Sequence, residues 1–207
     1  MSSLQTRSLD AARPDALEEA VRVLRARGLV AFPTDTVYGL GALAFDGSAV
    51  ESIYAAKDRP PEKAIPVLIA DAADLKAVAR DIPPIARQLA ARFWPGPLTL
   101  VVPKQPSLPI AVSATDTVAV RVPDHAAARA LLGAVGPLAV TSANISGERS
   151  PSTAEEVMRQ LNGRIGLILD GGPTPGGVAS TLVDCTGARM VILRAGPLTL
   201  DQLESAL

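Results

Sequence analysis

The chain has one cysteine, Cys185, and one histidine, His125, in 207 residues. A lone cysteine excludes an intramolecular disulfide and any zinc site built from several thiolates. A lone histidine excludes a metal centre held by two or more imidazoles, and any histidine base would have to be His125. Aromatic residues make up only 3% of the chain, which weighs against a base-stacking RNA-binding surface. No excess of positive charge exists either. The net charge is −1 and the isoelectric point about 5.9, whereas proteins that bind phosphate backbones non-specifically are usually basic. No apolar run reaches about 18 residues, so no membrane span is expected. The N-terminus has no apolar core of signal-peptide length, and the expected location is the cytoplasm. Neither G-x-x-x-x-G-K-[ST] nor G-x-G-x-x-G occurs, so a bound nucleotide would be held without the common glycine loops. Chemistry is left to Lys, Arg, Ser, Thr, Asn, carboxylates and backbone groups.

What the chain does have is apolar bulk, 48% of its residues, enough for a sizeable core. The pattern predicts one domain over residues 1–207, with about 1–13 as an N-terminal extension and no additional C-terminal domain. A helix is expected at 15–27, stopped at Gly28, followed by the short strand Leu29-Val-Ala-Phe-Pro33. Ser48 and Glu51 are spaced as a capping box that opens a helix to about Ala56. Thr153 with Glu156, and Thr199 with Gln202, repeat that spacing. Further helices are expected at 72–80, 84–93, 124–133, 153–161 and 199–206. Further strands are expected at 65–70, 97–103, 117–122, 138–141, 166–169, 179–185 and 190–194. Strands alternating with helices indicate an α/β domain, and the later cluster of strands a mixed sheet.

Polar residues gather where apolar strands end, at 31–41, 118–124, 138–147 and 191–196. Ligands of α/β folds collect at such strand ends. Thr34, Arg121, Thr141, Ser142, Asn144 and Arg194 could therefore share a crevice with Lys57, Arg59 and Lys63, a set suited to an anion with several phosphates. The chain has only four lysines, and two flank Arg59 in the proline-stiffened run Lys57-Asp-Arg-Pro-Pro-Glu-Lys63. The same run also reads as a solvated helix end, because cations favour helix C-termini. Thr141-Ser-Ala-Asn-Ile-Ser-Gly147 also reads as an ordinary polar turn. Arg121 interrupts an apolar strand and needs a partner, either a ligand or a structural carboxylate. His125 is read as structural or surface, Cys185 as a buried small hydrophobe, and Phe93-Trp-Pro-Gly-Pro97 as a packed corner. Gly171-Gly-Pro-Thr-Pro-Gly-Gly177 is a candidate mobile flap.

The strings P-T-D-T-V-Y-G-L-G, K-D-R-P, W-P-G-P-L-T, V-R-V-P, T-S-A-N-I-S-G, S-T-L-V-D and L-R-A-G occur here in the order seen in the YrdC-like family. From about residue 15 to the C-terminus the chain resembles that family's short form. The resemblance implies a twisted mixed β-sheet flanked by helices, with a large concave positively charged cavity. It implies a nucleotidyltransferase that joins L-threonine, bicarbonate or CO2, and ATP into L-threonylcarbamoyladenylate and pyrophosphate. Mg2+ would arrive with the ATP and take no protein side chain. The product would serve threonylcarbamoyladenosine formation at position 37 of tRNA, passed on to a TsaD-type transferase complex; tRNA itself is a further candidate partner.

By the same resemblance, Lys57 and Arg59 are the catalytic pair. ATP-binding positions fall on Lys57, Arg59, Thr117, Ser142, Asn144, Ser150 and Arg194. Threonine-binding positions fall on Thr34, Lys63, Arg121, Thr141, Ser180 and Thr181. One departure is Ala64, where the family commonly has proline. The alternatives are a YrdC-like paralogue acting on another carbamoyl or carbamate ligand, a tRNA- or duplex-RNA-binding module, and a nucleotide-binding regulator.

Overall fold

The computed structural model describes residues 4–175 and 177–207. Ten strands form one mixed sheet: β1 (Arg7–Asp10), β2 (Val30–Phe32), β3 (Gly39–Leu43), β4 (Val67–Leu68), β5 (Leu98–Pro103), β6 (Thr117–Arg121), β7 (Leu138–Ser142), β8 (Leu167–Asp170), β9 (Thr181–Asp184) and β10 (Val191–Arg194). Their order across the sheet is β1-β8-β2-β3-β7-β4-β6-β5-β9-β10. The helices are α1 (Ala16–Arg25), α2 (Gly47–Lys57), α3 (Leu75–Val78), α4 (Pro84–Phe93), α5 (Ala126–Val135), α6 (Ala154–Leu161) and α7 (Leu200–Glu204). None of these helices is long and apolar enough to cross a membrane.

Side chains alternate between the two faces of a strand, and here the alternation sorts the core into two layers. Ala31, Ala139 and Ile168 enter one layer with the buried residues of α2, α4 and α6. Their neighbours Val30, Phe32, Leu138, Val140, Leu167 and Leu169 enter the other, under α1 and α5. The amphipathic α1 buries Ala16, Ala20 and Leu24 and carries Glu18 and Glu19 in its first turn, Arg22 and Arg25 in its last, matching the helix dipole at both ends. At β3, Leu40 and Ala42 face the first layer. Gly41 faces the second, where a Cβ would lie 2.9 Å from the Phe32 ring.

Several local expectations need correction. The cap of α2 is Asp46, whose side chain accepts from Ala49 N, and not Ser48. Thr153 does cap α6, yet Glu156 reaches back to Ser152 N at 2.7 Å and not to Thr153. Thr199 and Gln202 form the full reciprocal box. After α1 the left-handed residue is Arg27, one position before Gly28. The expected helix 72–80 is a 3-10 turn at Ala72–Asp74 followed by the single turn α3. Within the presumed N-terminal extension, β1 pairs in parallel with β8. β3, antiparallel to both β2 and β7, is a strand the sequence pattern did not announce.

Candidate functional site

Helices α1 and α5 cover their face of the sheet only toward the β8-β2-β7 side. Further along, from β7 through β4, β6 and β5 to β9, the same face is open and floors a cavity of about 480 Å³. The floor follows directly from period-2 alternation. On β6, Val118 and Val120 enter the core, while Thr117, Ala119 and Arg121 face the cavity. On β5, Leu98, Leu100 and Val102 enter the core, while Thr99 and Val101 face the cavity. Three arginines, Arg59, Arg121 and Arg194, line the cavity together with many serine and threonine hydroxyls, and among the described residues no carboxylate does. Such a lining favours an anion and supplies hydrogen-bond donors that need no proton transfer to act.

Arg121 is the most buried of the three arginines, 6% exposed. Nε–H donates to Gly96 O at 2.9 Å, Nη1 to Thr36 Oγ1 at 3.0 Å, and Nη2 to Asp35 Oδ1. The structural carboxylate is thus Asp35. Burial lowers the Arg121 pKa, and the Asp35 charge opposes that shift. A guanidinium has five N–H groups, so each Nη keeps one N–H for a ligand. The hydroxyls behind it are ordered by donor counting. Thr34 Oγ1 donates to Val37 O at 2.7 Å, so Thr36 must donate to Thr34 across their 3.0 Å contact, and Thr36 accepts from Arg121. Every proton in that chain has one direction, which fixes Arg121 and both hydroxyls as a unit.

The cationic run does not act as one patch. Arg59 lines the cavity, and its guanidinium folds back on the turn, donating to Lys63 O at 3.2 Å and Ala64 O at 2.9 Å. Lys63 is exposed and does not line the cavity. Lys57 is 1% exposed at the end of α2. Its ammonium donates to the carbonyls of Ser142 and Asn144, and its own carbonyl accepts from Ser146 N at 2.8 Å. Burial, and secondarily Arg59, pulls the Lys57 pKa down to about 7. Lys57 therefore ties α2 to the end of β7 and the loop that follows it, and the end of β7 supplies Thr141 and Ser142 to the cavity wall.

The far wall comes from the residues around β9 and β10. Arg194 on β10 donates through Nη2 to Ser180 O at 2.9 Å and to Ser180 Oγ at 3.2 Å. Ser180 Oγ lies 2.7 Å from Thr99 Oγ1. At Gly196 a Cβ would stand 2.3 Å from Thr181 N and 2.6 Å from Ala179 O, closer than any side chain permits. The segment entering this wall is pinned at its start. Tyr38, fully buried, donates its hydroxyl to Gly172 O at 2.7 Å, and Thr174 N donates to Ser152 O at 2.9 Å. The rest of the candidate flap includes Gly176, which lies outside the described residues.

Of the sequence-derived site residues, Thr34, Arg59, Thr117, Arg121, Thr141, Ser142, Ser150, Ser180 and Arg194 come together around the cavity. Lys57, Lys63, Asn144 and Thr181 do not line it. Thr181 is fully buried, and its hydroxyl donates to Leu198 O at 3.1 Å. Asn144 Nδ2 donates to Ile145 O and Glu148 O, while its buried Oδ1 has no partner among the described residues. Sequence reasoning missed Thr36, Thr99, Ser113 and Thr115 in the lining, and Asp35 behind it. Thr99 was detectable by continuing the alternation through Leu98-Thr-Leu-Val-Val102. Thr36 and Asp35 lay inside the quoted P-T-D-T string.

Residues 22–196 match the family model Sua5_yciO_yrdC, described as telomere recombination. A threonylcarbamoyl-AMP synthase of Bacillus subtilis (strain 168) is 45% identical, covering 92% of this chain and 56% of that protein. A putative threonylcarbamoyl-AMP synthase of Mycobacterium tuberculosis is 41% identical, covering 98% of this chain and 95% of that protein. The crystal structure of P. abyssi Sua5 complexed with L-threonine is 43% identical and superposes with a TM-score of 0.92, covering 98% of this chain and 60% of that one. The chain thus spans little more than half the length of some curated relatives it matches, 56% in the case of B. subtilis.

Proposed function

The chain belongs to the Sua5–YciO–YrdC family, and from that premise we propose that it makes L-threonylcarbamoyladenylate and pyrophosphate from L-threonine, bicarbonate or CO2, and ATP. The observation that carries the reading is the cavity itself. Three guanidiniums and a hydroxyl lining without a carboxylate sit on the fold shared with a Sua5 crystallised with L-threonine.

The chemistry needs two anions brought together. Threonine's amine adds to CO2 and releases a proton to water to give a carbamate, and a carbamate oxygen then attacks the α-phosphorus of ATP while the bond from that phosphorus to the oxygen bridging the β-phosphate breaks. Cations on the cavity wall offset the repulsion between these reactants and stabilise the departing pyrophosphate. The two remaining N–H groups of Arg121 suit the amino acid carboxylate. Arg59 and Arg194 suit the phosphates, with Thr117, Ser142 and Ser150 as neutral donors. Hydroxyls such as Thr141 and Ser180 would read the threonine side chain, and a site built to hydrogen-bond a hydroxyl rejects analogues that lack it. ATP would enter as its magnesium complex; hydroxyls and guanidiniums suit phosphate oxygens, so the ion would travel on the triphosphate. The product would feed tRNA threonylcarbamoylation at position 37 through a TsaD-type transferase complex.

The test is pyrophosphate release by the purified protein with MgATP and bicarbonate, supplied in turn with threonine, serine, valine and no amino acid. Threonine-dependent release is expected. Arg59→Ala should lower kcat/KM by about 2–4 kcal/mol in transition-state terms, the usual loss for one charge-stabilising donor. Equal release with and without threonine, or an unaffected Arg59→Ala, would overturn the assignment.

A further inference from the structure

Among the described residues, the buried side-chain oxygen Asp35 Oδ2 and the buried ring nitrogen His125 Nδ1 have no hydrogen-bond partner. They belong to segments already joined, because Asp124 N donates to Asp35 Oδ1 at 3.0 Å. Asp35 Oδ1 also accepts from Arg121 Nη2. One carboxylate oxygen is thus doubly used and the other idle. An idle buried carboxylate oxygen is costly, and the idle ring nitrogen of His125, whose charge state Asp35 influences, is one whose N–H could satisfy it.

His125 is placed for that role by its surroundings. It is the N-cap residue of α5, yet its side chain makes no capping bond, so the ring is free for another partner. The charged groups around it are Asp35 from the turn after β2 and Asp124 beside it, both of which raise its pKa against the lowering effect of burial. Arg121 lies beyond Asp35. From the opposite side the ring meets Gly171, whose Cβ would stand 3.6 Å from His125 Cε1. The neighbouring Asp170 accepts from Gly172 N through Oδ1 at 3.0 Å.

We propose that His125 is a positioning residue: its Nδ1–H is held by Asp35 Oδ2 through one bridging water, so that Asp35 Oδ1 keeps Arg121 oriented toward a ligand carboxylate in the cavity. The relay runs from the α5 start through Asp35 to Arg121 and touches no reacting atom. It rests on the reading of Arg121 as the carboxylate grip. Burial depresses the imidazole pKa, so the ring is neutral near pH 8 and its tautomer carries the information.

The test exploits the single histidine, since an imidazole 1H–15N correlation spectrum of the whole protein reports His125 alone. The expected result at pH 8 is the Nδ1–H tautomer, which converts to the commoner Nε2–H form and titrates at lower pH in Asp35→Asn. An Nε2–H tautomer in the native protein, unmoved by Asp35→Asn, overturns the proposal. In the pyrophosphate assay His125→Ala should raise KM for threonine about tenfold, with kcat and KM for ATP changed less than threefold. His125→Asn, whose amide can donate from near the Nδ1 position, should recover most of that loss. A native threonine KM in His125→Ala also overturns it. If the native protein releases no threonine-dependent pyrophosphate, the functional reading fails while the spectrum still decides the Asp35–His125 pair.

Discussion

Removing Asp35 should destabilise the whole domain, and the size of the effect follows from where Arg121 sits. Arg121 is 6% exposed, and Asp35 is its ion-pair partner. Asp35→Ala leaves a buried guanidinium without counter-charge and strips an acceptor from Asp124 N. Breaking a buried ion pair from one side costs about 3–5 kcal/mol. For a domain of this size each kcal/mol is worth about 2–4 °C, so Tm should fall by roughly 6–20 °C. Urea unfolding followed by circular dichroism at pH 7 measures the free energy directly. The control is a cycle with Arg121→Met. Removing both charges relieves the uncompensated guanidinium, so Asp35→Ala/Arg121→Met should be more stable than Asp35→Ala alone. A loss below about 1 kcal/mol for Asp35→Ala, or a double variant no more stable than the single one, would show that the pair does not carry the burial of Arg121.

Two further outcomes are expected. Lys57 titrates near 7 in the folded chain against an ordinary lysine value of 10.5, so between these values the unfolded chain holds a proton that the folded chain has released. Raising the pH across that window should therefore stabilise the native protein relative to Lys57→Met by on the order of a few kcal/mol, and falling pH should remove that gain. The neutral amine keeps two N–H groups for the carbonyls of Ser142 and Asn144, so the tie survives deprotonation; a flat difference between the two proteins from pH 7 to 10 in urea unfolding would contradict this. Gly196→Ala should cost at least about 1–3 kcal/mol, because its Cβ collides with backbone atoms of Ala179, Ser180 and Thr181 that have no rotamer by which to yield. If the chain binds ATP as proposed, the change should also weaken that binding by displacing Ser180 and Arg194, measured by isothermal titration; native stability would refute the close approach.

The α/β alternation and mixed sheet were legible because most strands are short apolar runs flanked by turn residues. β1 escaped because Arg7-Ser-Leu-Asp10 is mostly exposed and offers no apolar face. β3 escaped because Gly39-Leu-Gly-Ala-Leu43 looks like a turn. Its glycines are small because Phe32 and Val140 already fill that side of the sheet. Ser48 was mistaken for the cap because its spacing to Glu51 is ideal, while Asp46 two residues earlier caps equally well and is where the chain first turns. In the cavity, strand-end residues such as Thr34, Thr141 and Arg194 were findable from local chemistry, and Arg121 from its misfit with an apolar strand. Lys57 and Lys63 show the limit. Their spacing fixes neither direction, and the helix end turns one ammonium inward onto carbonyls while the turn leaves the other in water.

The cavity is stitched from segments far apart in the chain: Thr34 and Thr36 on one side, Ser180, Leu193 and Arg194 on the other. During synthesis the early strands and their helices can collapse well before the closing wall has left the ribosome. A nascent chain lacking β9 and β10 could thus own most of its hydrophobic interior and still have no receptacle for small molecules. A ligand held in this cavity would stabilise the fold only once β9 and β10 are in place.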